Sequence, residues 1–370
     1  MKKNLLLLFI SIFVIFAVLE VFLRITGTVQ EARFMCYHPI IGNTYCPNVE
    51  GLYIHKRVLK IHLKVNSDGL LDRKYSIERE RMTARIAVLG DSYTSAELVH
   101  VRNRYHEIWE QQLPKIIGMP VEVINFGLGG TGTWNQLQMY HLKAKKYKPD
   151  LTVLAFNWGN DVEDNIDRQK AGKLNPLLNE YTADSMLIRL QIARKNFNKW
   201  LWNHLAVYQF SRKSYDKLEV LIKFYLRPEY MKKPEILSTK DPVDTKSLYD
   251  DKFFMSSEGW KLTKKLIIRL RDEVKESGSK LIIIHFPYHA QLRNYPPLPI
   301  DEFNNFLKRE NIPYLDLFDR YRELDEEILV KNTFLPVDGH WNKYGHQMFA
   351  NFTTDFIAKE LTKKIGIVPH

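Results

Sequence analysis

The chain has 370 residues, 45% hydrophobic and 26% charged, which is the make-up of a globular protein with a large core and excludes a disordered or fibrous one. Its net charge of +11 points to an anionic partner. Neither zinc-finger spacing nor an aromatic-basic RNA signature is present, so anionic lipid or an acidic polymer is expected and no nucleic acid.

Lys2 and Lys3 precede an apolar run from Leu5 to Phe22 in which Glu20 is the only charge, and ~20 such residues span a bilayer as a helix. No small-x-small cleavage site follows, so an uncleaved signal anchor is expected over a cleaved peptide. The basic pair favours a cytoplasmic N-terminus and an extracytoplasmic body, with Arg24 and Arg33 weakening the asymmetry. Glu20 and Arg24 are spaced to pair on one helix face at the membrane interface. Three parts are expected: an anchor at 1–27, a lead-in β-element and linker at 28–82, and a main domain at 83–370 with a helical insertion at about 162–260.

In the lead-in, Leu59 to Val65 alternates as a half-exposed strand does, and Asn66-Ser67-Asp68-Gly69 supplies a turn. Cys36 and Cys46 are the only cysteines and lack metal-type spacing. In an exported body they form either a disulfide or two free thiols.

The main domain alternates strand and helix, with strands predicted at Ile86–Leu89, Val121–Phe126, Leu151–Phe156, Leu281–Phe286 and Tyr314–Leu317. Helices are predicted near Arg104–Leu113, Trp134–Tyr147 and Leu262–Glu276, the last ended by Gly278. Short apolar strands separated by helices imply a three-layer α/β fold, with a mostly parallel sheet covered on both faces and a site beyond the strands' carboxyl ends. Between Asp161 and Trp260 the alternation stops. Met186 to Arg227 mixes aromatic and basic residues at helical spacing, with Asp216 and Glu219 its only acids. Helices packed on the domain with a solvated basic face are the preferred reading. Contact with anionic lipid or an acidic substrate is the alternative, and Pro228 to Tyr249 reads as a loop or lid.

The strand at Ile86 gives way at once to Gly90-Asp91-Ser92, a turn that lifts Ser92 above the sheet edge as candidate nucleophile. The second strand runs into a glycine loop, Gly127-Leu128-Gly129-Gly130-Thr131-Gly132, whose spacing is neither that of a P-loop nor that of a dinucleotide fold. Its N–H groups suit an anion. Asn160, at the end of the third strand, is placed to donate its amide to an oxyanion, with helix capping as the alternative for it and for Asp161. A serine needs an imidazole and an orienting partner, and Asp338-Gly339-His340 offers both. His289 is the rival base; His346, inside the following helix, and His285, in a strand, read as structural.

These blocks together resemble the SGNH or GDSL hydrolase superfamily, over about Ile86 to Leu361 and in the family's order. The resemblance implies the family's flavodoxin-like fold with five strands and no cofactor. It also implies Ser92 as nucleophile, an oxyanion hole of the Ser92 and Gly130 N–H groups with the Asn160 amide, His340 as base and Asp338 as its acid. No metal ligand set is visible. Asn66 to Leu70 is similar to the lead-in of membrane-anchored bacterial members, which carry arginine where Leu71 stands. Asp338 lies two residues before His340 instead of the family's usual three, a form similar to that of polysaccharide O-acetyltransferases. The implied function is hydrolysis of acyl esters, short-chain or acetyl, on an extracytoplasmic carbohydrate or lipid. An O-acyltransferase with a sugar acceptor and a non-catalytic polysaccharide-binding protein are the alternatives.

Overall fold

The computed structural model describes residues 2–27, 31–55, 59–159, 161–162, 164–165, 186–226, 258–288, 299–335 and 339–367. Helix α1 (Lys2–Ile25) holds the apolar run and is long and apolar enough to cross a membrane. Its large apolar side chains from Leu5 to Phe22 are exposed, and near its end Glu20 and Arg24 pair at 2.6 Å.

The lead-in is two antiparallel hairpins, β1 (Met35–His38) with β2 (Gly42–Tyr45) and β3 (Glu50–His55) with β4 (Leu59–Lys64). A disulfide joins Cys36 to Cys46 across the first. Strand β4 alternates as expected, with Leu63 inside and Lys60, His62 and Lys64 in solvent. The turn after it is organised by Asn66, whose side-chain oxygen accepts from the N–H of Asp68 and of Leu70. Phe34, Tyr45, Leu63 and Leu71 join the core beneath the main sheet, so the lead-in packs as part of that domain.

From there strands and helices alternate: β5 (Ala84–Gly90), α2 (Ser92–Ser95), α3 (Tyr105–Ile117), β6 (Val121–Asn125), α4 (Thr133–Leu142) and β7 (Leu151–Asn157). The insertion contributes α5 (Met186–His204) and α6 (Ala206–Leu226). There follow α7 (Glu258–Glu276), β8 (Lys280–Phe286), α8 (Ile300–Arg309), β9 (Tyr314–Asp316), α9 (Phe318–Arg322), α10 (Glu326–Thr333) and α11 (Lys343–Ile365). The five strands run parallel in the order β6-β5-β7-β8-β9. This is the flavodoxin-like arrangement, whose switch point opens a crevice beside the first strand's carboxyl end.

Alternation along β5 builds the two outer layers. Ile86 and Val88 face a core shared with α3 and α11, while Ala87 and Leu89 face one shared with α4, α7 and the lead-in. Helix α7 ends where expected, at Gly278 with φ +82°. Helix α4 stops at Leu142, short of the predicted Tyr147, and the backbone continues as a tighter turn over Ala144–Tyr147. Pro228 to Tyr249, read above as a loop or lid, lies outside the described residues.

Candidate active site

Ser92 opens α2 directly after β5, and its placement is an interior matter. Asp91 is fully buried and accepts from the Tyr93 N–H at 2.9 Å and from Asn157 Nδ2, at the end of β7, at 2.8 Å. Burial pushes the Asp91 carboxyl up, while the Asn157 amide and the Tyr93 N–H act to lower it. Asp161 accepts from the Asn157 N–H and from Gln136 Nε2, and burial, then the Asp91 charge, push it well above the usual carboxylate range. A buried carboxylate–amide–carboxylate network therefore braces the serine turn from the neighbouring strand.

From the other side, Asn125 at the end of β6 donates to the Thr94 carbonyl at 2.8 Å. The glycine loop is zipped to β5 by Leu128 N–H donating to the Gly90 carbonyl at 3.0 Å. Gly127 must be glycine, since a Cβ there would stand 2.4 Å from the Ser95 nitrogen. A Cβ on Gly129 would stand 3.7 Å from Ser92 Cβ, so this loop runs beside the serine. Gly130 follows, exposed, with φ +65° and open space around it.

His340 comes from the loop between α10 and α11. Phe334 and Trp341 bridge at the loop's neck, Leu335 N–H donates to the His340 carbonyl at 2.7 Å, and Asn342 caps α11 through Tyr344 and Gly345 N–H. This neck presents His340 Nε2 to Ser92 Oγ at 2.8 Å, across 248 positions of sequence. Tyr93 supports it from the serine side, with its ring 5.2 Å from the imidazole and its hydroxyl donating to the Gly339 carbonyl at 2.8 Å.

Ser92, Gly130 and His340 thus fall at one end of the sheet, whereas Asn160, Asp338 and His289 lie outside the described residues. His346 is buried in α11 and burial holds its imidazole well below the ordinary value. His285 is buried in β8, receives Trp158 Nε1–H and lies 2.9 Å from Asn304 Oδ1.

The cleft at Ser92 includes walls that sequence reasoning missed: Tyr53 and His55 of β3, and Glu97, which Tyr45 bonds through its hydroxyl. Nothing in the alternating lead-in marks Tyr53 for this place; Tyr93 and Asp91 were signalled only by adjacency to Ser92. Among the described residues one group, Asp72, His106 and Glu107, has metal-type composition. Asp72 already accepts from the Arg73 and Asn125 N–H groups, and His106 Nε2 lies 3.8 and 3.7 Å from the two carboxylates. The cluster lies where the lead-in meets α3.

No protein-family model and no curated protein matches the chain. Solved structures do. A lipase/acylhydrolase from Enterococcus faecalis matches at 13% identity over 75% of this chain and 96% of its own, with a TM-score of 0.39. An acetyl xylan esterase matches at 14% over 74% and 99%, with a TM-score of 0.39. A psychrotrophic esterase from Pseudoalteromonas sp. matches at 11% over 75% and 98%, with a TM-score of 0.40. The class is defined by the chain's own geometry: a doubly wound α/β protein with a hydrogen-bonded serine–histidine pair beyond its strand ends.

Proposed function

We propose that this protein is a membrane-anchored serine esterase of the SGNH type, acting outside the cytoplasm on short acyl esters of a carbohydrate or lipid. The observation that carries the reading is the 2.8 Å contact of His340 Nε2 with Ser92 Oγ over a strand-end turn. Ser92 Oγ attacks the acyl carbonyl and its proton passes to His340 Nε2. The developing oxyanion is held by the Ser92 and Gly130 N–H groups and the Asn160 amide. Collapse breaks the ester C–O bond, and the leaving alcohol takes the proton from His340. Water, deprotonated by His340, then attacks the acyl-enzyme, releases the acid and restores Ser92. Asp338 orients the imidazole. The lysine pair at the start of α1 and the Cys36–Cys46 disulfide support an extracytoplasmic body.

The test is incubation of the full chain in detergent with aryl esters of increasing acyl length, with and without an oligosaccharide acceptor. Hydrolysis of short esters that is lost in Ser92→Ala is the expected result. An acyl-enzyme that turns over only with the sugar present makes the protein an O-acyltransferase. Failure of a fluorophosphonate to label Ser92 in folded protein makes it a binding protein.

A further inference from the structure

The insertion helix α5 is amphipathic with its apolar side outward. Met186, Leu190, Phe197 and Trp200 recur at helical spacing and are all exposed, Phe197 by 57% and Trp200 by 50%. Leu205 and Phe210, just beyond its end, are exposed as well. The rings of Phe197 and Trp200 stack at 6.0 Å and those of Trp200 and His204 at 4.7 Å. The opposite side of α5 grips the lead-in. Trp202 Nε1–H donates to the Glu31 carbonyl, Asn203 exchanges hydrogen bonds with the Arg33 backbone, and Asn196 does the same with Tyr37. In water this orientation is the wrong way round.

The corner between α5 and α6 is fastened to the last turns of α1. Arg24 Nη2–H donates to the His204 carbonyl at 2.6 Å. The Glu20 carboxylate accepts the Ala206 and Val207 N–H groups, both at 2.9 Å, and so caps α6. A helix running from Lys3 to Ile25 outreaches the ~30 Å hydrocarbon core at ~1.5 Å per residue, so Glu20 and Arg24 fall at its edge. What is hydrogen-bonded to that turn shares its depth.

We propose that the aromatic end of α5, namely Phe197, Trp200 and His204 with Leu205 and Phe210, rests in the interfacial layer of the bilayer that α1 crosses. The partner is a lipid surface, and the inference rests on α1 being a retained membrane anchor. Stacked aromatics belong at that depth, with apolar ring faces toward the acyl chains and polar edges toward headgroups. Arg194, exposed on the same helix, complements anionic headgroups, while Lys195 lies over the Tyr37 ring of the lead-in. Lys199 lines a cavity that shares Tyr53 and Glu97 with the Ser92 cleft, so this contact holds the cleft close to the lipid surface.

Because a disulfide occupies the chain's two cysteines, a new cysteine is labelled uniquely if no reductant is used. Full-length Phe197→Cys carrying a nitroxide, in nanodiscs with anionic lipid, is compared with Phe13→Cys in α1 and Asp319→Cys on the α/β domain. The Phe197 label is expected to favour oxygen over a nickel chelate several-fold more than the Asp319 label does. A Phe197 label open to nickel, or shielded from both reagents by protein, overturns the proposal while the Phe13 label stays in lipid. A Phe13 label open to nickel removes the anchor reading itself. Should Phe197→Cys misfold, emission quenching by brominated lipids serves instead. The other six tryptophans are buried, so Trp200→Phe must lose most of the quenchable signal, and unchanged quenching overturns the proposal.

Discussion

Ser92 and His340 meet at hydrogen-bonding distance, yet the molecule holds them in unlike ways. The serine turn is part of the interior: Asp91, Thr94 and Ser95 are buried, and Asn125 and Asn157 reach it from the two adjacent strands. The histidine stands in a loop between helices, set by backbone pairing at its neck and by Tyr93 from the serine side. Changes around the serine should therefore move stability and activity together, while changes around the histidine should move activity first.

Removing either reacting group is the largest expected effect. Ser92→Ala and His340→Ala should each lower kcat by roughly 10⁶ while leaving the unfolding midpoint near the parent's, which ester turnover and calorimetry would check. Gly127→Ala sharpens the contrast, because its Cβ collides with the Ser95 backbone. It should cost ~1–3 kcal/mol in denaturant unfolding and depress kcat with it. Asp91→Asn turns an amide NH2 toward either Tyr93 N–H or Asn157 Nδ2, and about 1–3 kcal/mol should again be lost with activity. Equal losses from Tyr93→Phe would break the comparison. That variant keeps the ring beside His340 and loses only the bond to Gly339, so about 1 kcal/mol is expected, read chiefly in kcat.

The smallest effect is a pH slope. Burial holds His346 well below, and His285 below, the ordinary imidazole value, so the unfolded chain binds protons there that the folded chain refuses. Stability then rises with pH across that window and is lost on acidification below about pH 6.5. Urea midpoints taken between about pH 7 and 5 should fall less in His346→Phe than in the parent.

The strands were legible because each is an apolar run cut off by a turn residue, and Gly90-Asp91-Ser92 is the sharpest of those cuts. The ends were less so: β9 stops at Asp316, one residue early, because Leu317 already takes helical angles ahead of α9. Helix α4 breaks near Lys143, whose ammonium donates to the Asp68 and Gly69 carbonyls, a tertiary bond that no local pattern announces. The same holds for the site. Ser92 and His340 could be named from their neighbours in sequence, but the Asn157 brace and the Tyr53 wall depend on which strand lies beside which. Pattern reading does not supply that order.

By sequence Glu20 belongs to the apolar helix α1, but by hydrogen bonding it belongs to the corner where α6 begins. A peptidase trimming the chain behind α1 during maturation would carry this carboxylate away and leave the Ala206 and Val207 N–H groups bare, a loss of about 1 kcal/mol for the cap. The Arg24 bond to the α5–α6 corner would go with it. A chain that keeps α1 is the better-knit molecule, and the apolar helix is thereby also a structural part of the whole.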